Sequence, residues 1–115
     1  VPTNEGGLVA AIQREIAKRW PSAWQFKVVG SPYQMAGVPD LLLCVEGLTV
    51  GLEVKFQRPG ESAEHAVGRT TQQQLVQIER INRSGGAAAT VISVDEAVAV
   101  IKAGLTRERN GASDN

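Results

Sequence analysis

The sequence predicts a single α/β domain. Three observations carry that prediction: an early apolar stripe at helical spacing, two apolar segments joined by a two-residue turn, and two helix-opening signals on either side of a short apolar strand. The chain has 115 residues, enough for one core but too few for separate catalytic and substrate-binding domains. Binding and chemistry therefore have to share one surface.

Across residues 4–20, Leu8, Val9, Ile12, Ile16 and Trp20 recur three and four residues apart, and Pro21 ends the helix because it has no N–H to continue the ladder. Trp24-Gln25-Phe26-Lys27-Val28-Val29 alternates like a strand with one buried face. A turn-rich loop through Gly30, Pro32 and Gly37 then delivers the chain to Pro39-Asp40. Strands at residues 40–45 and 48–56 flank Glu46-Gly47, read as a tight hairpin turn with the glycine at positive φ. Residues 57–69 contain Pro59, Gly60 and Gly68 without periodicity, which predicts an exposed loop.

Thr71-Gln72-Gln73-Gln74 matches a capping box and opens a helix with Leu75, Ile78 and Ile81 inward, closed by Ser84-Gly85-Gly86. Residues 88–93 form an apolar, central strand. Ser93-Val94-Asp95-Glu96 then starts a last helix that buries Ala97, Val98 and Ile101 and stops near Gly104. Residues 1–105 thus read as the domain, and 106–115 as a polar, disordered tail.

Composition narrows the function classes. No apolar run approaches the roughly 18 residues of a membrane span, and the N-terminus lacks a signal-peptide layout, so a cytoplasmic location without membrane attachment is expected. Cys44 is the one cysteine, which excludes an intramolecular disulfide and disfavours a Cys-based zinc cluster; within Leu41-Leu42-Leu43-Cys44-Val45 it reads as core packing. Twelve Lys+Arg balance twelve Asp+Glu, which counts mildly against a nucleic-acid binder unless several acids serve a metal.

The chemistry starts from the hairpin. A two-residue turn at Glu46-Gly47 pairs Val45 with Leu48 and, counting outward, sets Asp40 opposite Glu53. Opposed like charges are destabilising unless something compensates them, and a divalent cation does so. Alternation puts Thr49, Gly51, Glu53 and Lys55 on one face of their strand, so Glu53 and Lys55 share a side with Asp40. Two such carboxylates can bind Mg²⁺, which keeps several waters, with Lys55 orienting a water or stabilising phosphate charge. The plainer reading is a solvated Glu53–Lys55 pair with Asp40 at the strand entry, and a three-residue turn would put Asp40 on the wrong face.

Gly37-Val38-Pro39-Asp40 followed by Glu53-Val54-Lys55 resembles the PD-(D/E)XK nuclease signature, and more narrowly the VRR-NUC domain. That family's pattern has a glutamate opening the first helix, Gly-x-Pro-Asp, Glu-x-Lys, and a Ser/Thr-x-x-Gln helix start leading to Gly-Gly and an apolar strand. Here these fall on Glu5, Gly37 to Asp40, Glu53 to Lys55, and Thr71 to Gln74 with Gly85-Gly86. The likeness spans residues 4–101. It implies a restriction-endonuclease-like αβββαβ core with a mixed central sheet flanked by helices. It also implies Mg²⁺, with Mn²⁺ as a substitute, held by Asp40, Glu53 and the Val54 carbonyl. Lys55 would serve catalysis, with Gln74 and Glu5 completing the site. Glu15 is an alternative to Glu5, Gln72 and Gln73 are alternatives to Gln74, and Gln74 could equally be only a helix cap.

Arg58 and Arg69 are candidate phosphate contacts, and Tyr33 with Gln34 either stacks at a nucleic-acid branch or packs. His65 reads as surface decoration. Stand-alone domains of this kind resemble phage or mobile-element enzymes that resolve four-way (Holliday) DNA junctions as homodimers, which implies a bacterial or phage-infected host cell. The alternatives are a flap or nicking nuclease and a catalytically silent nucleic-acid-binding module.

Overall fold

The computed structural model describes residues 1–113; Asp114 and Asn115, the end of the expected tail, lie outside the described residues. The elements are α1 (Glu5–Arg19), β1 (Trp24–Lys27), β2 (Leu41–Val45), β3 (Leu48–Val54), α2 (Ala63–Gly68), α3 (Gln72–Arg83), β4 (Ala87–Val91) and α4 (Val94–Ser113). The strands form one sheet in the order β1-β2-β3-β4, antiparallel from β1 to β3 and parallel between β3 and β4. The sheet is therefore mixed, as the family resemblance implies.

One face of the sheet carries the core. Leu41, Leu43 and Val45 of β2 and Leu48, Val50, Leu52 and Val54 of β3 are all buried, packed with Ile12 and Ile16 of α1 and Ala97 and Ile101 of α4. Helix α1 presents this stripe because its apolar residues follow the helical period, and the Asn4 Oδ1 accepts from the Gly7 N–H at 2.7 Å to cap its start. Helix α3 lies on the opposite face, with Ile81 over Gly51, and packs on β3 and β4.

The structure corrects several expectations. The apolar strand expected at the centre is β4, which lies at the edge of the sheet and pairs with β3 alone. Residues 57–69 are not simply loop: Ser62 accepts from the His65 N–H and opens α2. The last helix does not stop at Gly104 but runs on to Ser113. A Cβ at Gly104 would meet Leu48 Cδ2 at 2.7 Å and Ala87 Cβ at 2.8 Å, so this glycine marks close helix-to-sheet approach, and Leu105 beyond it is buried. The described part of the expected tail, residues 106–113, is accordingly helical.

Leu75 is 47% exposed because the inner side of α3 is carried by partly buried Ile78 and Ile81 instead. Cys44 is exposed, and the Trp24–Phe26 side of β1 is not buried. Both follow from one cause, since α3 covers β3 and β4 and leaves the β1–β2 part of that face open. No helix among the described residues is long and apolar enough to cross a membrane.

Candidate active site

The hairpin register decides where the acids fall. Val45 pairs with Leu48 and Leu41 with Leu52, so one further step sets Asp40 against Glu53, as the turn count predicts. The turn has positive φ at both Glu46 (50°) and Gly47 (84°), the requirement of a type I′ turn whose twist suits a two-residue hairpin. Asp40 is fixed further by its Oδ2, which accepts from the Val54 N–H at 2.8 Å, and by the Val28 N–H, which donates to its carbonyl.

Gly37 explains why the approach to Asp40 needs a glycine. Its φ is +80°, and a Cβ there would sit 2.3 Å from the Gln73 carbonyl oxygen and 2.8 Å from the Gln74 nitrogen. The loop thus lies directly on the first turn of α3, which ties Pro39-Asp40 to that helix.

Among the described residues Glu53 is the one buried charged side chain, 2% exposed, and its Oε1 has no hydrogen-bond partner. Its Oε2 lies 3.3 Å from Lys55 Nζ. Burial first, then hydrogen bonding and like charge from Asp40, push the Glu53 carboxyl up to about 8, with Lys55 opposing. A buried carboxylate oxygen without a partner, facing a second carboxylate, is the donor set that a hard divalent cation takes. Among the described residues no third His, Cys, Asp or Glu joins the pair, so the remaining ligands of an ion would be backbone carbonyls or water. Val54 follows Glu53 in β3, with its side chain buried on the core face.

Glu5 is exposed in the first turn of α1 and acts electrostatically on Arg69, whereas Glu15 pairs with Arg19 at 2.6 Å in the second half of the helix. Gln74 Oε1 accepts from the Thr71 N–H at 2.8 Å and Thr71 Oγ1 accepts from the Gln74 N–H at 3.1 Å, so the capping box is formed and only the Gln74 amide nitrogen stays available. Gln72 and Gln73 are exposed in the same turn, as are Tyr33 and Gln34 in the loop before Gly37.

Arg69 is not a free cation. It donates to Glu61 through Nε at 2.9 Å and through Nη2 at 3.0 Å, and to the Phe56 carbonyl at 2.5 Å. Glu61 also accepts from the Arg58 N–H and contacts His65 Nδ1, and these contacts, Arg69 first, hold its carboxyl far below the usual range. The guanidinium of Arg58 forms no ion pair among the described residues, so Arg58 is the better placed of the two to meet a phosphate.

Thr90 escaped the sequence reading. It pairs with Glu53 across the parallel β3–β4 ladder and hydrogen-bonds Thr70 at 2.8 Å, which places two hydroxyls beside the acids. No turn joins β3 to β4, so no local signal sets that register.

The order α1, three strands, α2 and α3, β4 and α4, with a mixed sheet and an acidic pair at the end of the central hairpin, is that of a restriction-endonuclease-like α/β core. A solved VRR_NUC domain shares this fold, with a TM-score of 0.55 over 88% of this chain and 97% of that chain at 22% identity. No family model matches the chain, and no curated protein matches it.

Proposed function

We propose that this chain is a metal-dependent nuclease that hydrolyses phosphodiester bonds in DNA. The observation that carries the reading is the buried Glu53 carboxylate with its unpartnered Oε1, set opposite Asp40 and beside Lys55. The shared fold with a VRR_NUC domain supports it.

Asp40, Glu53 and the Val54 carbonyl would hold Mg²⁺, with Mn²⁺ as a substitute. When bound, the ion supplies Lewis acidity and a water of lowered pKa. Asp40 is anchored through Oδ2 by the Val54 N–H and interacts with the Glu53 side chain. Lys55 donates toward Glu53 and places its ammonium where negative charge grows on the phosphate as water attacks phosphorus and the bond to the leaving oxygen breaks. Gln74 through its amide nitrogen, and Glu5 from the start of α1, line the approach.

The preferred substrate in this reading is a branched DNA, foremost a four-way junction, cut by a homodimer in which each protomer offers one centre. Within these 115 residues binding and chemistry share one surface, which favours recognition by shape and backbone. The test is cleavage of four-way, flap and linear substrates at fixed salt, with and without Mg²⁺. Junction cleavage that needs Mg²⁺ and disappears in Asp40→Asn and Lys55→Ala is expected. Preference for flaps or nicked duplex would move the substrate assignment, and binding without cleavage under any divalent ion would make the chain a binding module.

A further inference from the structure

The open part of the active face is built to receive flat rings. Of the chain's five aromatic residues, three are at least half exposed: Trp24 (57%), Phe26 (50%) and Tyr33 (98%). All three lie in the segment that leads into Asp40. Exposing large rings is costly, and contiguous apolar surface of this kind marks a binding site more often than chance.

Register places the two β1 rings on the side of the acids. Trp24 pairs with Cys44 and Phe26 with Leu42, and Leu42 stands two residues from Asp40 on the same face. Phe26 is therefore within about 10 Å of the Asp40 backbone, from strand rise and spacing. The rings of Trp24 and Phe26 are parallel to within 6°, with centroids 5.9 Å apart, so two half-exposed rings are already stacked on this face.

Across the strands, Cys44 pairs with Thr49, and Thr49 lines a groove of about 420 Å³ under α3 together with Met35 and Arg80. Arg80 makes no ion pair among the described residues; Glu108 lies on the same groove. A row of stacked rings on one side and a guanidinium on the other is the pattern that holds single-stranded nucleic acid, with bases on the rings and phosphate on the cation.

The geometry points to this open face as the binding surface for unpaired nucleotides of the substrate, with bases stacking on Trp24 and Phe26 and backbone phosphate meeting Arg80. This deepens the nuclease reading and rests on it, because it selects DNA with unstacked bases next to the cut. A second copy of the chain would equally cover apolar surface, but it would not account for two parallel rings lying across the strands from Arg80 on the side of the acids.

The experiment reads binding rather than cleavage. In EDTA, the Trp20→Phe protein leaves Trp24 as the single indole, and a thymidine homo-oligonucleotide is titrated against it beside a blunt duplex of equal length. Saturable quenching by the single strand is expected. Trp24→Ala and Phe26→Ala should each weaken single-strand binding about five- to a hundredfold, read by anisotropy of a labelled oligonucleotide, while duplex affinity changes less than about twofold. Trp24→Phe keeps a ring and should retain most of the affinity, which separates loss of stacking from misfolding. Equal losses on single strand and duplex, or no quenching, would overturn the proposal. So would sedimentation showing a dimer that becomes monomeric in Trp24→Ala with DNA affinity unchanged. Cleavage that fails while quenching persists would instead count against the nuclease reading alone.

Discussion

Two glutamates of this domain, Glu53 and Glu61, each sit beside a cation in a mostly solvent-excluded place, and their surroundings drive them in opposite directions. Glu61, its side chain 7% exposed, accepts from Arg69, from the Arg58 N–H and from His65, so both its oxygens are used and its proton is lost readily. Glu53 meets only Lys55 and a second acid, keeps one oxygen unpartnered and is pushed up to about 8. A saturated carboxylate holds structure together, here the Phe56–Arg69 segment around α2. An under-satisfied one costs stability and is kept where a ligand completes it.

The largest expected effect separates the two directly. Glu53→Gln and Lys55→Ala should lower Mg²⁺-dependent cleavage by about a hundredfold or more, the scale of losing one transition-state contact. Glu61→Gln should leave turnover within about tenfold and lower the thermal midpoint instead. Metal-free Glu53→Gln at pH 8 should be no less stable than the parent, because it removes a repelled and partly unpaired buried charge. Circular-dichroism melts beside initial rates check both halves.

Next comes the contact that brings Asp40 to Glu53. Gly37→Ala should cost at least about 2 kcal/mol, since the left-handed backbone alone costs a non-glycine residue roughly 1–2 kcal/mol and the Cβ would overlap the Gln73 carbonyl. Urea unfolding measures it. An unchanged midpoint would mean that the loop does not rest on α3.

The pH dependence of the metal-free protein should show both glutamates with opposite signs. The Glu53 carboxyl lies above its ordinary value of 4.5 in the folded state, so the stability tied to its proton is complete below that value and is lost as pH rises toward about 8. The Glu61 carboxyl lies below the same ordinary value, so its contribution is present above about 4.5 and is lost as pH falls beneath it. Glu53→Gln should flatten the alkaline limb of a melting-temperature profile and Glu61→Gln the acid limb.

The smallest effect concerns the turn that sets the pairing. Glu46 holds φ 50° without being glycine or asparagine. Glu46→Asn should therefore stabilise by about 0.5–1 kcal/mol in urea, with cleavage unchanged.

What the sequence could reveal followed from how locally each feature is determined. The Asp40–Glu53 pairing was legible because a two-residue turn fixes an antiparallel register and alternation fixes the face. Thr90 beside Glu53 was not, because β4 reaches β3 through α2 and α3, and no turn carries that register. The alternation of Trp24 and Phe26 marked a strand correctly but suggested a buried face, and the same error put Cys44 in the core. Which half of a sheet a helix covers depends on where α3 lands, and its landing is set by glycine contacts at Gly37 and Gly51. Pro59, Gly60 and Gly68 masked α2, whose start is marked only by Ser62. Gly104 looked like a helix end because a close-packing glycine and a terminating one are the same letter.

The claim that Asp40 and Glu53 jointly hold a divalent ion is tested most directly by titrating Mg²⁺ into the isolated protein by calorimetry at pH 8, with Asp40→Asn and Glu53→Gln alongside. Stoichiometric binding in the parent that is lost in each variant is the predicted result. Equal Mg²⁺ affinity in all three proteins would contradict it.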